Sequence, residues 1–243
     1  MKIAIHGKEF NRVAAPFIAR IFEIFVQQKA ELFVSAKFSQ YLKPPLTKEQ
    51  YHVYNPGDAL NNIDIFISIG GDGTLLDSVT HIGRLEIPIL GINTGRLGFL
   101  ATISKGETES ALEKIFQGAY TLDKRALLKL DTDKDIFGAM NFALNDFTVV
   151  KKDSSAMITI HTYIDGEFLN SYWADGIIVA TPTGSTGYSL SCGGPLIFPR
   201  SGNFVITPVS PHNLTVRPII VSDATEITFQ VEGRSKRFLA SLD

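Results

Sequence analysis

Over its first hundred residues the chain alternates short apolar runs with stretches of helical spacing. Residues 2–6 read as a short strand, and Ala14, Phe17, Ile18, Ile21 and Phe25 recur at the i, i+3, i+4 intervals of a helix resting on a sheet. Residues 31–34 supply a second strand, before a polar loop around Lys43, Pro44 and Pro45. A nearly continuous apolar run over 63–69 has the pattern of a strand buried on both faces. It ends abruptly in Gly70-Gly71-Asp72-Gly73-Thr74, a helical pattern starts at Leu75, and 87–91 is the next strand. Strands alternating with helices predict a parallel α/β sheet whose functional groups sit where strands end and helices begin.

The pattern then changes. Ser104 and Glu107 have capping-box spacing and open one more helix through Ala111, Leu112, Ile115 and Phe116. From Tyr120 onward short β-rich runs dominate, at 127–130, 142–150, 157–164, 177–180, 204–206, 219–221 and 227–231. Gly, Asp, Asn and Ser punctuate them, with one candidate helix in the Gly- and Ser-rich stretch after Thr183. This predicts an all-β second domain, a sandwich. The expected division is an α/β domain over 1–105 and a β-rich domain over 106–243.

Composition works mainly by exclusion. With 23 Lys and Arg against 25 Asp and Glu, the formal charge is −2, so no global field draws the chain to nucleic acid or membrane. One cysteine, Cys192, excludes an intrachain disulfide framework and a CxxC zinc motif. The amino terminus turns polar after five residues, unlike a signal peptide, and no run approaches the ~18 apolar residues of a membrane span. A cytoplasmic enzyme or binding module is the expectation.

The glycines of 70–74 let the backbone approach a ligand closely, and a helix N-terminus behind them points unpaired N–H groups at an anion such as phosphate. Asp72 inside that loop needs a purpose beside phosphates: accepting a proton from an attacking hydroxyl, or helping to hold a metal. The plainer reading is a tight turn in which Asp72 caps the helix. The loop is neither a Walker motif nor GxGxxG. Residues 175–195 (DGIIVATPTGSTGYSLSCGGP) begin as a strand and become crowded with hydroxyls and glycines, which suits a nucleoside better than a metal ion. Asn145 and Asp146, flanked by apolar residues, suit ribose hydroxyls or an adenine edge, or form an Asx turn. His6 and His212 have no ligand-spaced partners, so no protein-held metal is expected, and Cys192 reads as a packing residue. Tyr172 and Trp173 read as wall or core, and residues 93–99 (NTGRLGF) as a crossover between domains.

Taken together, these segments resemble the NAD kinase family: GGDGT at 70–74, NTGRLGF at 93–99, the Asn145-Asp146 pair, and above all the 175–195 stretch. The first motif is shared with diacylglycerol, sphingosine and phosphofructokinase-type kinases, whereas the last is close to a family fingerprint. The resemblance implies a Rossmann-like, phosphofructokinase-like first domain and a β-sandwich, with the dinucleotide between them. It implies transfer of the γ-phosphoryl of ATP, carried with Mg²⁺, to the 2′-hydroxyl of the adenosine ribose of NAD, giving NADP; some members accept polyphosphate. Homodimers or homotetramers are implied, with no nucleic acid or membrane partner.

Carried onto this chain, Asp72 would be the base, and Gly70, Gly71, Gly73 and Thr74 would shape the phosphate site. Asn145 and Asp146 would hold the adenosine half, with Asp72 and Gly73 beside it, and Asp175 would recognise an amide or amine. Thr183, Thr186, Gly187, Tyr188, Ser189, Leu190 and Ser191 would line the dinucleotide pocket, with Ser210 nearby. Three departures stand out. Asp146 replaces the Glu of many members, shortening its reach. Asp77 stands at an often basic position, so this helix is not expected to grip phosphate by charge. The family also continues past Asp243 through further strands and a closing segment. Two rival readings remain: a lipid kinase sharing GGDGT, and a non-catalytic NAD(P)-binding regulator.

Overall fold

In the computed structural model, which describes residues 1–42, 50–95, 98–152, 156–234 and 237–243, the chain divides into two compact units, Met1–Leu122 and Asp123–Asp243. The expected loop around Lys43, Pro44 and Pro45 lies outside the described residues.

The first unit is built on a five-stranded parallel sheet. Along the chain run β1 (Lys2–Gly7), α1 (Ala15–Gln27), β2 (Glu31–Ser35), α2 (Ala36–Ser39), β3 (His52–Tyr54), β4 (Ile65–Gly70), α3 (Asp72–Ile82), β5 (Ile89–Asn93) and α4 (Thr108–Phe116). The sheet order is β3-β2-β1-β4-β5, so the winding reverses between β1 and β4. In open α/β sheets the ligand crevice forms beyond the carboxyl ends of the strands at such a reversal. The GGDGT loop leaves β4 at that place.

Side chains alternate across each strand. Ile3, Ile5, Ile65, Ile67 and Ile69 enter a core with Ile18, Ile21, Phe22 and Phe25 of α1 and Leu112 and Ile115 of α4. Ala4 and Phe66 point to the other face, against Ile82 of α3. Every residue of β4 is buried, as its unbroken apolar run requires. Packing of α4 on this core carries the first unit through Leu122, later than the expected division at 105/106. The capping box is half realised: Glu107 accepts from the Ser104 N–H at 3.2 Å, but the helix starts only at Thr108.

The second unit packs two antiparallel sheets face to face. Its elements are β6 (Leu128–Lys129), β7 (Phe142–Ala143), β8 (Asp146–Lys151), β9 (Ile158–Ile164), β10 (Glu167–Ala174), β11 (Gly176–Ala180), α5 (Tyr188–Ser191), β12 (Asn203–Val209), β13 (Ile219–Ser222), β14 (Ile227–Glu232) and β15 (Phe238–Leu242). One sheet has the order β13-β12-β11-β8-β15 and the other β10-β9-β14, with β6 and β7 paired separately. Phe147, Val149, Ile177, Val179, Phe204 and Ile206 of the first meet Ile158, Ile160, Tyr172 and Ala174 of the second. The expected strand over 142–150 is broken at Leu144 and Asn145, and neither β10 nor β15 is among the expected strands.

Candidate active site

Asp72 is the first residue of α3, yet α3 has no side-chain cap. Its carboxylate turns away, toward the loop beyond β5. Oδ2 accepts the backbone N–H of Phe99 at 2.8 Å, and Oδ1 accepts those of Leu100 and Ala101 at 3.0 and 2.9 Å. A carboxylate offers about four lone-pair sites, so one remains, on Oδ2. The plainer reading of Asp72 as a helix cap is therefore replaced by an acid clamped between two loops. Gly98 makes the clamp fit, because a Cβ at that position would collide with the Asp72 carboxylate.

Asn93 completes this frame. Its side chain accepts from Gly95 N–H at 2.7 Å and donates to the Ala101 carbonyl at 3.2 Å, while Thr94 N–H reaches the Gly70 carbonyl. The 93–99 segment thus braces the GGDGT loop within the first unit; its Arg96 and Leu97 lie outside the described residues. Thr74 is buried and packs where any side chain on Gly70 would have to stand. Gly71 precedes the helix in extended conformation, and the carbonyl of Gly73 accepts from the Lys8 ammonium at 3.3 Å. Sequence reasoning missed Lys8, whose link to the loop comes from the pairing of β1 with β4.

In the second unit, the 175–195 segment starts on β11, which is buried on both faces. Asn145 is gripped from this segment: Thr181 N–H donates to its carbonyl at 2.9 Å, and a Cβ on Gly184 would collide with that carbonyl. Asp146 pairs across from Ala180. Burial raises its carboxyl above the usual range, a hydrogen bond from Thr148 opposes this, and the Asp243 charge adds to it. Asp243 also accepts the N–H groups of Leu144, Asn145 and Asp146.

Asp175 and Ser210 flank the opposite end of β11, since Gly176 pairs with Val209. At ~3.3 Å per residue, that is roughly 15 Å from the Asp146 end. Asp175 is ion-paired with Lys151 at 2.6 Å. Ser210 adopts φ +46°, a left-handed conformation that non-glycine residues rarely take. The 175–195 segment also carries Tyr188. Carried on α5, which lies against β11, its hydroxyl is raised by burial first, then by Cys192, and then by both Asp175 and Asp146.

The other residues expected to line the pocket divide. Gly187, Tyr188, Leu190 and Ser191 are exposed, Thr186 is partly so, and Thr183 is buried with its hydroxyl accepting from Arg125 at 3.4 Å. Ser189 is fully buried and its hydroxyl is shared with Thr207 at 2.8 Å, so that side chain packs rather than faces a ligand. Burial also pushes the Cys192 thiol up, away from thiolate chemistry.

His6 has partners after all: Asp77 and His81 of α3 lie beside it, a cluster that distance along the chain hid from sequence reasoning.

With this geometry in place, similarity to known proteins is specific. Residues 9–120 match the ATP-NAD kinase N-terminal domain and 144–243 the ATP-NAD kinase C-terminal domain. An NAD kinase of Cytophaga hutchinsonii is 50% identical over 245 residues, covering 100% of this chain and 84% of its own length. One from Bacteroides fragilis is 46% identical over 244 residues, with the same coverage of 100% and 84%. Among solved structures, yeast NADH kinase complexed with NADH superposes with a TM-score of 0.83 at 26% identity, covering 100% of this chain and 73% of that one. An NAD kinase from Archaeoglobus fulgidus in complex with ATP gives 0.73 at 27% identity, with coverage of 98% and 86%. A lipid kinase does not account for both domains matching at once, and the chain belongs to the NAD kinase family, phosphotransferases acting on an alcohol group.

Proposed function

We propose that Asp72 is the proton acceptor when the γ-phosphoryl of ATP passes to the 2′-hydroxyl of the adenosine ribose of NAD. The hydroxyl oxygen forms the new bond to phosphorus, the bond from phosphorus to the bridging oxygen of ADP breaks, and the hydroxyl proton goes to the open lone pair on Oδ2. The single observation that supports this is the clamp itself. Three backbone amides fix the carboxylate in one orientation and leave one acceptor site uncommitted. Phosphoryl transfer asks the protein mainly for alignment and charge neutralisation.

Gly70, Gly71, Gly73 and Thr74 would then offer backbone to the phosphates, with the Lys8 ammonium as the nearby cation and a divalent ion, Mg²⁺, arriving with ATP. Asn145, Asp146, Asp175, Thr183, Thr186, Gly187, Tyr188, Leu190, Ser191 and Ser210 would hold the dinucleotide, with Ser189 shaping the backbone from beneath. The NADH complex of the yeast relative and the ATP complex of the archaeal one support both ligand classes. Exposed Leu196, Phe198 and Leu214 support assembly with further copies of the chain into a homodimer or homotetramer. Among the described residues no helix is long and apolar enough to cross a membrane, and the reading places the reaction in the cytoplasm, where ATP and NAD are held.

The test supplies ATP and Mg²⁺ with NAD, NADH, a long-chain base or diacylglycerol, and identifies the phosphorylated product. NADP from NAD is expected. A phosphorylated lipid with NAD left untouched would overturn the reading.

A further inference from the structure

We propose that His6, Asp77 and His81 form a binding site for a zinc-like divalent cation that ties α3 to β1. The three side chains come from two elements of the first unit. His6 lies on the face of β1 that points toward α3, and Asp77 and His81 stand one turn apart on α3 itself. One ligand atom from each lies within 4.8 Å of the other two. His6 Nε2 is 3.1 Å from Asp77 Oδ2, and the two imidazole rings are 4.4 Å apart.

Hydrogen bonding alone leaves this cluster incomplete. His6 is satisfied, with Nδ1 at 2.8 Å from Ser35 Oγ and Nε2 on Asp77. His81 Nδ1 is not: it is buried and has no hydrogen-bond partner among the described residues. A buried nitrogen left unpaired costs ~1–3 kcal/mol. Its surroundings offer little relief, since Tyr54 stands edge-on at 5.6 Å and Phe66 at 6.3 Å. The Tyr54 hydroxyl is likewise buried without a partner. A cation held by the cluster would take a His81 ring nitrogen as one of its ligands.

The chemistry of the set selects the ion. A metal is bound by a neutral ring nitrogen, and His6 and His81 each offer one to the cluster. Asp77 contributes the carboxylate oxygen of the set. Two imidazoles and a carboxylate without thiolate suit Zn²⁺ and its first-row neighbours, with a fourth position open, rather than Mg²⁺ or Ca²⁺. Ser35 Oγ can accept from Nδ1–H of His6, presenting Nε2 to the ion as outer partners of metal-bound histidines do. Lys37 is the competitor, 3.6 Å from Asp77 Oδ2, but its ammonium is exposed on a flexible stem.

The test uses the untagged full chain, stripped with chelator and titrated with Co²⁺ alone, then with Zn²⁺. Wild type is expected to develop the visible absorption of four-coordinate Co²⁺, to lose it to Zn²⁺, and to melt higher with Zn²⁺ but not with Mg²⁺. His81→Phe and Asp77→Asn should each weaken Co²⁺ binding at least about ten-fold, with folding checked by circular dichroism. Wild type that takes up neither ion overturns the proposal, whether or not the variants fold. So does binding that persists undiminished in a folded variant.

Discussion

The backbone of Gly98 presses so closely on the Asp72 carboxylate that any side chain at position 98 would occupy the carboxylate's own volume. The contact explains a glycine in a segment that otherwise reads as a crossover. It also gives Asp72 an orientation, because the amides of the next three residues can reach the carboxylate only when Gly98 lies flat beside it. Gly98→Ala should therefore displace the acid without removing it. A displacement of about 1 Å is expected to lower kcat roughly 10²-fold, with circular dichroism unchanged. Wild-type kcat in this variant would remove the clamp from the mechanism.

Tyr188 stands on α5 against β11, and 44% of it is exposed. Replacing it with alanine strips wall from the proposed dinucleotide pocket and leaves the GGDGT loop untouched. KM for NAD should rise more than KM for ATP. Steady-state kinetics with each substrate varied in turn will show this; a larger effect on ATP would reverse the assignment of the two segments.

The parallel sheet and the GGDGT turn were legible because each rests on a local pattern: an unbroken apolar run, a helical stripe, a glycine cluster; β3 and α2, three and four residues long, carry no such pattern. What escaped depends on contacts distant in sequence. The three amides that clamp Asp72 come into reach only when residues 99–101 are folded beside it. His6 lacks a partner until β1 is set against α3, 71 residues on. One omission was avoidable. Asp165 and Gly166 both adopt positive φ, at 49° and 83°, in the two-residue turn between β9 and β10. An Asp-Gly pair between alternating strands is the strongest short-range hairpin signal, but the largely exposed face of β10 disguised the strand.

Asp146 is a carboxylate kept where charge is disfavoured. Its pKa is raised mainly by burial and further by Asp243. A raised folded-state pKa means stability is fullest below the unfolded value and is lost as pH rises through the folded one. Asp146→Asn should thus melt higher at neutral pH, by roughly 2–4 °C for each kcal/mol relieved, and this advantage should shrink as pH falls through the carboxylate range. A lower melting temperature at pH 7 would show that the charge is compensated.

The histidines of the cluster, His6 and His81, make the opposite prediction. Burial lowers the pKa of both His6 and His81, that of His81 from 6.5 to about 4, while Asp77 pulls upward and Lys37 downward on each. The unfolded chain therefore binds more protons between about pH 6.5 and 4, and stability falls as pH drops through that window. Denaturant titrations of metal-free protein at several pH values should show this slope, and it should be shallower in His81→Gln. Equal slopes for the two proteins would assign the acid sensitivity elsewhere.

The most direct measurement compares wild type with Asp72→Asn for NADP formation from ATP, Mg²⁺ and NAD, alongside NAD binding at equilibrium. Loss of a positioned base typically lowers turnover ~10²–10⁴-fold, so that loss is expected here, with NAD affinity changing far less. Equal turnover in the two proteins would contradict the account.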